Sequence, residues 1–358
     1  MNPRTPVSII TGFLGSGKTT LLNRVLQNPA MAGAAVIINE FGEIGLDHLL
    51  IATPNENTVL LSNGCICCTV RGDLVDTLRN LDRQRQKGEL PPFDRVLIET
   101  TGLADPVPIL QSVITDERLA PRFELDGVLT LVDAVNGMAQ LDTQPEAVKQ
   151  AAVADRLVLT KTDLSPASAD LLSRLARINP GAQRLTANRG EIGAHDLFGA
   201  NLDAHAGAEA LSRWLPEAAV QHAEAQYQRV QPHGDGIRAY SLYLDEPVSV
   251  NGLTAWLTAL SSLRGAKLLR VKGLLNVDGE PVAVHAVQMV IHEPITLACW
   301  PDADRRSRLV FITRDMARSQ IESTLDVLRL RTVNAAATPQ PLDPQAYAKF
   351  VAAMQNMH

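Results

Sequence analysis

The first half of the chain alternates short, nearly unbroken apolar runs with segments of helical spacing. Parallel strands buried on both faces have such runs, because helices cover both sides of the sheet. Five runs predict strands of this kind: VSIIT from Val7, AVIIN from Ala35, RVLIET from Arg95, GVLTLVDA from Gly127 and RLVLT from Arg156. Between them, apolar residues recur at helical intervals, as at Leu74, Leu78 and Leu81. The pattern predicts a doubly wound, mainly parallel α/β sheet.

Between Tyr227 and Arg238 the alternation of strand-like and helix-like segments is interrupted by a polar stretch that contains Pro and Gly. Beyond it the spacing predicts, in order, a strand from Ala239 to Leu244, a helix through Leu253 and Leu260, the strand KLLRVKGLLNV, a turn at Asp278-Gly279, a strand pair, the strand LVFIT and a helix near Gln320 to Leu330. These elements predict a smaller α+β domain. We therefore expect domains over residues 1–226 and 237–332, with a tail over 333–358.

Composition agrees with a packed protein of two domains. The 358 residues are 46% hydrophobic and 20% charged, with a mean hydropathy of +0.01. No apolar run approaches the roughly 18 residues of a membrane span, and the first residues lack a signal-peptide pattern, so we expect a cytoplasmic protein. A net charge of −6 disfavours bulk nucleic-acid binding, because cations are not in excess.

A glycine-rich segment, GFLGSGKTT, follows the first predicted strand and opens a helix. It fits the phosphate-loop pattern G-x-x-x-x-G-K-[ST], in which backbone amides wrap a phosphate, the lysine reaches the β- and γ-oxygens, and the hydroxyl ligates Mg²⁺. The helix dipole adds to anion binding. The alternative is a turn that merely connects strand and helix. The predicted nucleotide-binding residues here are Gly12, Gly15, Ser16, Gly17, Lys18, Thr19 and Thr20, with Lys18 also catalytic and Thr19 on Mg²⁺.

The segment TKTD, from Thr160 to Asp163, ends another predicted strand. Asp163 can accept hydrogen bonds from both N1–H and the 2-amino group of guanine, a pair that adenine lacks, so Thr160, Lys161 and Asp163 predict GTP. The alternative is that Asp163 or Ser165 simply caps the next helix. GTPases usually carry Asn where this chain has Thr160, and that Asn ties the base loop to the phosphate loop.

Glu99 lies at the carboxyl end of RVLIET, three residues before Gly102. This arrangement predicts that Glu99 is the water-mediated Mg²⁺ acid and that the Gly102 amide senses a γ-phosphate, both with catalytic roles. The segment also predicts a helix start at Asp105-Pro106, which is compatible with the nucleotide-site roles of Glu99 and Gly102.

Three of the four cysteines, Cys65, Cys67 and Cys68, lie within four residues, and Cys299 stands apart. Neighbours this close do not form a loop-closing disulfide framework, and a cytosolic chain keeps them reduced. Three thiolates on one turn repel one another unless a cation holds them, which favours a metal site. The alternative is three small buried residues at a turn.

Taken together, the motifs resemble those of the CobW family of P-loop GTPases. The matching segments are GFLGSGKTT at Gly12, NEFGEIGLD at Asn39, NGCICC at Asn63, ETTGLADP at Glu99, LVDA at Leu131, TKTD at Thr160, KLLRVKG at Lys267, DGEP at Asp278 and LVFIT at Leu309. The resemblance implies a GTPase that binds zinc, or cobalt in some branches, through Cys65, Cys67 and Cys68 with Glu43 as a nearby carboxylate. It also implies metal delivery to client proteins. The family's histidine-rich tract is missing, because the eight histidines are scattered.

We therefore expect a slow GTPase that uses GTP, GDP and Mg²⁺ and couples its nucleotide state to delivery of Zn²⁺, or Co²⁺, to a client metalloprotein. The segments 39–47 and 62–68 lie on connections near the phosphates, so a γ-phosphate that orders them changes metal affinity, and the coupling is reciprocal. The alternative is a GTPase switch or thiol redox sensor without metal transfer. An ATP-dependent kinase is disfavoured by Asp163.

Overall fold

The computed structural model describes residues 4–39, 59–63, 71–202, 206–217, 219–221, 236–262 and 267–329. The chain divides into two compact units, Met1–Leu202 and Asp203–His358. The expected domain bounds stay a prediction, since most of the segment between Tyr227 and Arg238 lies outside the described residues. Among the residues described, no helix has both the length and the apolar character needed to cross a membrane.

The first unit contains a seven-stranded sheet whose neighbouring strands are all parallel. Its strands are β1 Thr5–Gly12, β2 Ala34–Asn39, β3 Val59–Asn63, β4 Arg95–Glu99, β5 Phe123–Asp133, β6 Arg156–Thr160 and β7 Gln183–Thr186, in the order β3-β2-β4-β1-β5-β6-β7. Its helices are α1 Lys18–Leu26, α2 Arg71–Gln86, α3 Val107–Thr115, α4 Gly137–Thr143, α5 Pro145–Val153, α6 Ala169–Ile178 and α7 Ala194–Leu197, with a 3₁₀ turn at Pro29–Met31. The five predicted strands and the predicted fold class are confirmed.

This strand order brings distant parts of the chain to one sheet edge. Strand β1 lies between β4 and β5, and β6 lies beside β5. Because all these strands are parallel, their carboxyl ends meet at the same edge, where ligands bind in open α/β sheets. The residues that follow β1, end β4 and end β6 are those of the phosphate-loop, Glu99 and TKTD motifs.

The second unit is built on a six-stranded sheet with antiparallel pairing. Its elements are α8 Ala208–Trp214, β8 Ile237–Leu244, α9 Val250–Ser262, β9 Leu268–Val277, β10 Glu280–Val287, β11 Val290–Ile291, β12 Ile295–Thr296, β13 Ser307–Arg314 and α10 Arg318–Leu328. The main strand order is β11-β10-β9-β13-β8, and β12 pairs with β10. Trp256, Tyr240 and Phe311 are fully buried in its core. The predicted α+β architecture is confirmed.

Candidate functional site

The phosphate loop requires glycine at its first position. Gly12 has φ +144°, and a Cβ atom there would lie 2.5 Å from the Leu131 carbonyl oxygen on β5, so any other residue would collide with the sheet. Gly15 and Gly17 also have positive φ angles, of 72° and 91°. The Ser16 amide donates to the Phe13 carbonyl at 3.1 Å, which closes the loop before α1 begins.

The Lys18 ammonium lies over this loop. The residue is 9% exposed, and its Nζ atom donates to the Gly12 carbonyl at 2.9 Å and to the Phe13 carbonyl at 3.4 Å. A cation held over a curve of backbone amides is suited to accepting a phosphate. Thr20, two residues further along α1, is exposed.

Thr19 and Glu99 meet at this edge although 80 positions separate them. The Thr19 hydroxyl donates to Glu99 Oε1 at 3.1 Å, and Glu99 is buried. A hydroxyl and a carboxylate are hard oxygen donors of the type that Mg²⁺ prefers. The donor set therefore fits the magnesium predicted from the sequence.

Thr160 ties the TKTD segment to the phosphate loop. Its hydroxyl donates to the Ser16 carbonyl at 2.7 Å and lies 3.3 Å from the Val132 carbonyl. Threonine, although shorter than asparagine, thus makes a direct bond between the two loops.

Lys161 has a left-handed conformation, with φ +57°. Its Nζ atom lies 2.7 Å from the carboxylate of Asp133, whose side chain is 1% exposed at the end of β5. Burial raises the pKa of the Asp133 carboxyl, but hydrogen bonds from Lys161, from the Asn136 side chain and from the backbone of Val135 and Asn136 outweigh burial, so the pKa lies below its ordinary value. Sequence reasoning did not assign Asp133 a role, although its LVDA motif marked the position.

Asp163 remains available for a base-binding role. Its side chain is 21% exposed, and its carboxylate accepts from Arg189 Nε at 3.3 Å. Helix α6 begins at Ala169, and its N-cap is Ser168, whose hydroxyl accepts from the Leu171 amide at 3.1 Å. The capping alternative considered for Asp163 and Ser165 is therefore not the arrangement at this helix.

Gly102 approaches the phosphate loop closely. A Cβ atom on Gly102 would lie 2.6 Å from the Leu14 amide nitrogen. Downstream, the Asp105 carboxylate accepts from the Val107 amide at 3.1 Å at the start of α3. The helix-start role of Asp105-Pro106 and the approach of Gly102 to the loop thus occur together.

The predicted metal ligands Cys65, Cys67, Cys68 and Glu43 lie outside the described residues. In the part of the chain that the structure describes, no group of three or more His, Cys, Asp or Glu side chains is suited to hold a metal ion, and Cys299 is exposed.

The strands that precede these ligands are neighbours. Asn39, at the end of β2, is paired in register with Asn63, at the end of β3, and the preceding residue, Ile38, is paired with Glu99 on β4. Glu43 follows Asn39 by four positions and Cys65 follows Asn63 by two. Adjacent strands lie about 4.8 Å apart. The ends of β2 and β3 therefore lie side by side at the same sheet edge, next to β4, which ends at Glu99.

Comparison with known proteins gives matches to the CobW family over both units. A family model described as the CobW/HypB/UreG nucleotide-binding domain matches residues 6–186, and a model of the cobalamin synthesis protein cobW C-terminal domain matches residues 237–329. The zinc chaperone YjiA of Escherichia coli K12 is 36% identical over 331 residues, which span 92% of this chain and 100% of the relative.

Solved structures agree. The crystal structure of Zn(II)-bound YjiA GTPase from E. coli matches with a TM-score of 0.71 and 33% identity, covering 92% of this chain and 100% of that chain. A Zn(II)-bound YjiA triple mutant, with one glutamate and two cysteines replaced by alanine, matches with a TM-score of 0.70 and 31% identity over the same shares of both chains.

These matches confirm the predicted family, the P-loop fold and the predicted enzyme class, a GTPase. The chain therefore belongs to the CobW/HypB/UreG family and carries, after the nucleotide-binding domain, the C-terminal domain of the cobalamin synthesis protein cobW.

Proposed function

We propose that this chain is a GTP-driven metallochaperone that binds Zn²⁺, or Co²⁺, through Cys65, Cys67 and Cys68 with Glu43 and delivers the metal to a client protein. The observation that carries the proposal is the strand order β3-β2-β4-β1. It supports a metal site and a phosphate site at one sheet edge, joined by adjacent strands. A change at the γ-phosphate then has a short path to the metal ligands.

Guanine selection rests on the TKTD segment. Asp163 accepts from the N1–H and 2-amino groups of the base, while Thr160 keeps the segment in register with the phosphate loop through its 2.7 Å bond to the Ser16 carbonyl. The Lys161–Asp133 pair holds the left-handed turn between them. The site thus pairs hydrogen-bond acceptors with groups that adenine lacks, which is how strong discrimination is achieved.

Hydrolysis uses residues from two places at the sheet edge, the start of α1 after β1 and the end of β4 with the segment that follows it. Lys18 binds the β- and γ-phosphate oxygens, and the Gly102 amide faces the γ-phosphate. Thr19 and Glu99 supply the oxygen donors that would hold Mg²⁺. Mg²⁺, when bound, would neutralise part of the negative charge of the phosphates. The chain's own groups position the nucleotide and stabilise charge on the transferred phosphoryl group. We expect slow intrinsic turnover.

The cargo site is tetrahedral in this proposal. Three thiolates and one carboxylate satisfy the four-coordinate geometry of Zn²⁺, and Co²⁺ fits the same geometry with lower affinity. The zinc chaperone name of the relative YjiA supports zinc as the cargo.

Bound zinc alone does not test this ligand set. The relative's triple mutant lacks two cysteines and is still described as Zn(II)-bound, so a thiolate-specific signal is needed. Co²⁺ titration of the wild-type chain is expected to give thiolate charge-transfer bands and tetrahedral d–d absorption, since Co²⁺ reports its coordination directly.

The matched variants separate the cysteine cluster from the remaining thiol. A variant with Cys65, Cys67 and Cys68 replaced by serine should lose these bands, whereas the control Cys299→Ser should retain them. Bands that persist in the triple variant contradict the proposed site.

A further inference from the structure

Helix α5 is hydrogen-bonded to the segment that follows β4. Gln150, on α5, is 1% exposed. Its Nε2 atom donates to the Gly102 carbonyl at 3.1 Å and to the Ala104 carbonyl at 3.0 Å. One buried side-chain amide therefore satisfies two backbone carbonyls of the segment that contains Gly102.

The neighbouring residue adds a second, weaker attachment. Lys149 Nζ lies 2.6 Å from Asp105 Oδ2. The two side chains are 23% and 37% exposed, so solvent screens this ion pair and its contribution is small. The buried bonds of Gln150 therefore hold the segment more firmly than the ion pair does.

Helix α5 is itself fixed to the rest of the unit. The Thr130 hydroxyl on β5 donates to the Gln150 carbonyl at 2.9 Å. At the far end of α5, the Asn179 side-chain amide donates to the carbonyls of Ala151, Ala152 and Ala154. The helix is thus a rigid support, and the Gly102 segment is attached to it through side chains.

We propose that Gln150 is a positioning residue that holds Gly102 against the phosphate loop, where the Gly102 amide meets a γ-phosphate. This inference rests on the proposed role of Gly102 in GTP binding. The close approach of Gly102 to Leu14 is the arrangement that Gln150 maintains. Because the segment is already in place, the γ-phosphate orders it at little cost in conformational entropy.

Gln150→Leu tests the inference, because leucine keeps a similar volume and removes both N–H donors. We expect affinity for a nonhydrolysable GTP analogue to fall about 10-fold, the expected scale for buried carbonyls that lose their donor, and kcat to fall with it. GDP affinity should change less than about twofold on the same scale, since GDP has no γ-phosphate. Lys149→Met should change analogue affinity in the same direction by about twofold, as an exposed pair would.

Gln144→Leu is the matched control, the same substitution at the start of α5, where the Gln144 amide reaches the Thr143 hydroxyl at 3.4 Å. It should leave both affinities at wild-type values. Equal loss of GDP and analogue affinity in Gln150→Leu, or unchanged affinity for both in Gln150→Leu and Lys149→Met, overturns the positioning role. A wild-type chain that fails to bind or hydrolyse GTP overturns the proposed function instead, so the two failures are distinct.

Discussion

The two units use buried polar side chains in different ways. In the first unit, Lys18 at the start of α1, Glu99 at the end of β4 and Thr160 at the end of β6 lie at one sheet edge. In the second unit, His285 stacks on His292 with ring centroids 4.2 Å apart and meets Trp214 edge-on at 6.1 Å. The first arrangement lies where a ligand enters an open α/β sheet, whereas the second packs polar rings against one another. The residues matched by the nucleotide-binding family model, 6–186, likewise lie in the first unit.

The two units also differ in the charge state that they favour for a buried titratable side chain. Hydrogen bonds keep the Asp133 carboxyl charged by lowering its pKa against the effect of burial. In the second unit, burial first, and then electrostatic repulsion from His292, Arg270 and Lys272, hold the pKa of His285 well below its ordinary value. The first unit therefore stabilises charges beside a ligand site, and the second keeps a buried imidazole neutral.

The largest expected effect is on base choice. Asp163→Ala should reduce the preference for GTP over ATP from roughly 10⁴-fold towards one, because the acceptor for N1–H and the 2-amino group is gone. Competition titration with GTP, ITP and ATP measures it, and ITP, which lacks the 2-amino group, should be intermediate for the wild type. Arg189→Ala, which removes an exposed partner of Asp163, should alter the preference little. An unchanged preference in Asp163→Ala would refute the assignment.

The second-largest expected effect comes from a pair of Thr→Val variants, one in each unit, which compare the loss of a buried hydroxyl in the two units. Thr160→Val removes the hydroxyl that joins the TKTD segment to Ser16, so affinities for GTP and GDP should both fall about 10-fold. Thr313→Val makes the same change at a fully buried position of β13, where the hydroxyl donates to the Arg238 carbonyl at 3.4 Å. It should lower the free energy of unfolding and leave nucleotide affinity unchanged. Similar losses of nucleotide affinity in both variants would remove the distinction between the units.

The smallest expected effect is a difference in pH dependence. A folded-state pKa below the unfolded value of about 6.5 means that His285 contributes stability that is fully present above about pH 6.5 and is lost as pH falls below it. The lowered pKa of Asp133 acts only below about pH 3.9. The second unit should therefore lose stability progressively as pH falls below about 6.5, with His285→Gln reducing the slope.

Tryptophan fluorescence measures that slope for the second unit, because Trp214, Trp256 and Trp300 all belong to it. Unfolding curves followed by fluorescence at several pH values give the dependence directly. A slope identical in the wild type and in His285→Gln would show that His285 does not cause it.

The sequence predicted the phosphate loop and the five central strands because their signals are local. A strand buried on both faces is a continuous apolar run, and the loop's glycines and lysine are neighbours. Strand β3, VLLSN, has three apolar residues followed by Ser62 and Asn63. Strand β7 has only four residues, and its exposure alternates as at a half-buried edge. Their short runs did not stand out from loops.

Contacts between distant positions escaped prediction. Gln150 lies 48 positions from Gly102 and Lys161 lies 28 from Asp133, and no motif spacing links either pair. Their contacts exist only once α5 and the ends of β5 and β6 are placed by the sheet. Thr160 occupies the position where GTPases usually carry Asn, and its 2.7 Å bond to the Ser16 carbonyl forms because β6 ends beside the phosphate loop.

A GTP-driven metallochaperone requires that the nucleotide state sets the metal affinity. Glu43→Ala changes a residue of the segment 39–47, which we expect to respond to the γ-phosphate. The variant should weaken metal binding, or the effect of the nucleotide on metal affinity. It should leave GDP affinity almost unchanged, because GDP has no γ-phosphate to order that segment. Loss of GDP affinity comparable to the loss of metal affinity would contradict this separation.

The most direct measurement is Zn²⁺ affinity by chelator competition, with the wild-type chain saturated either with a nonhydrolysable GTP analogue or with GDP. We expect the two affinities to differ by roughly 5- to 150-fold, which corresponds to a coupling free energy of about 1 to 3 kcal/mol. Linkage requires Zn²⁺ to change the ratio of analogue and GDP affinities by the same factor. A ratio of Zn²⁺ affinities near one would contradict the claim and leave a GTPase whose thiols are independent of its nucleotide.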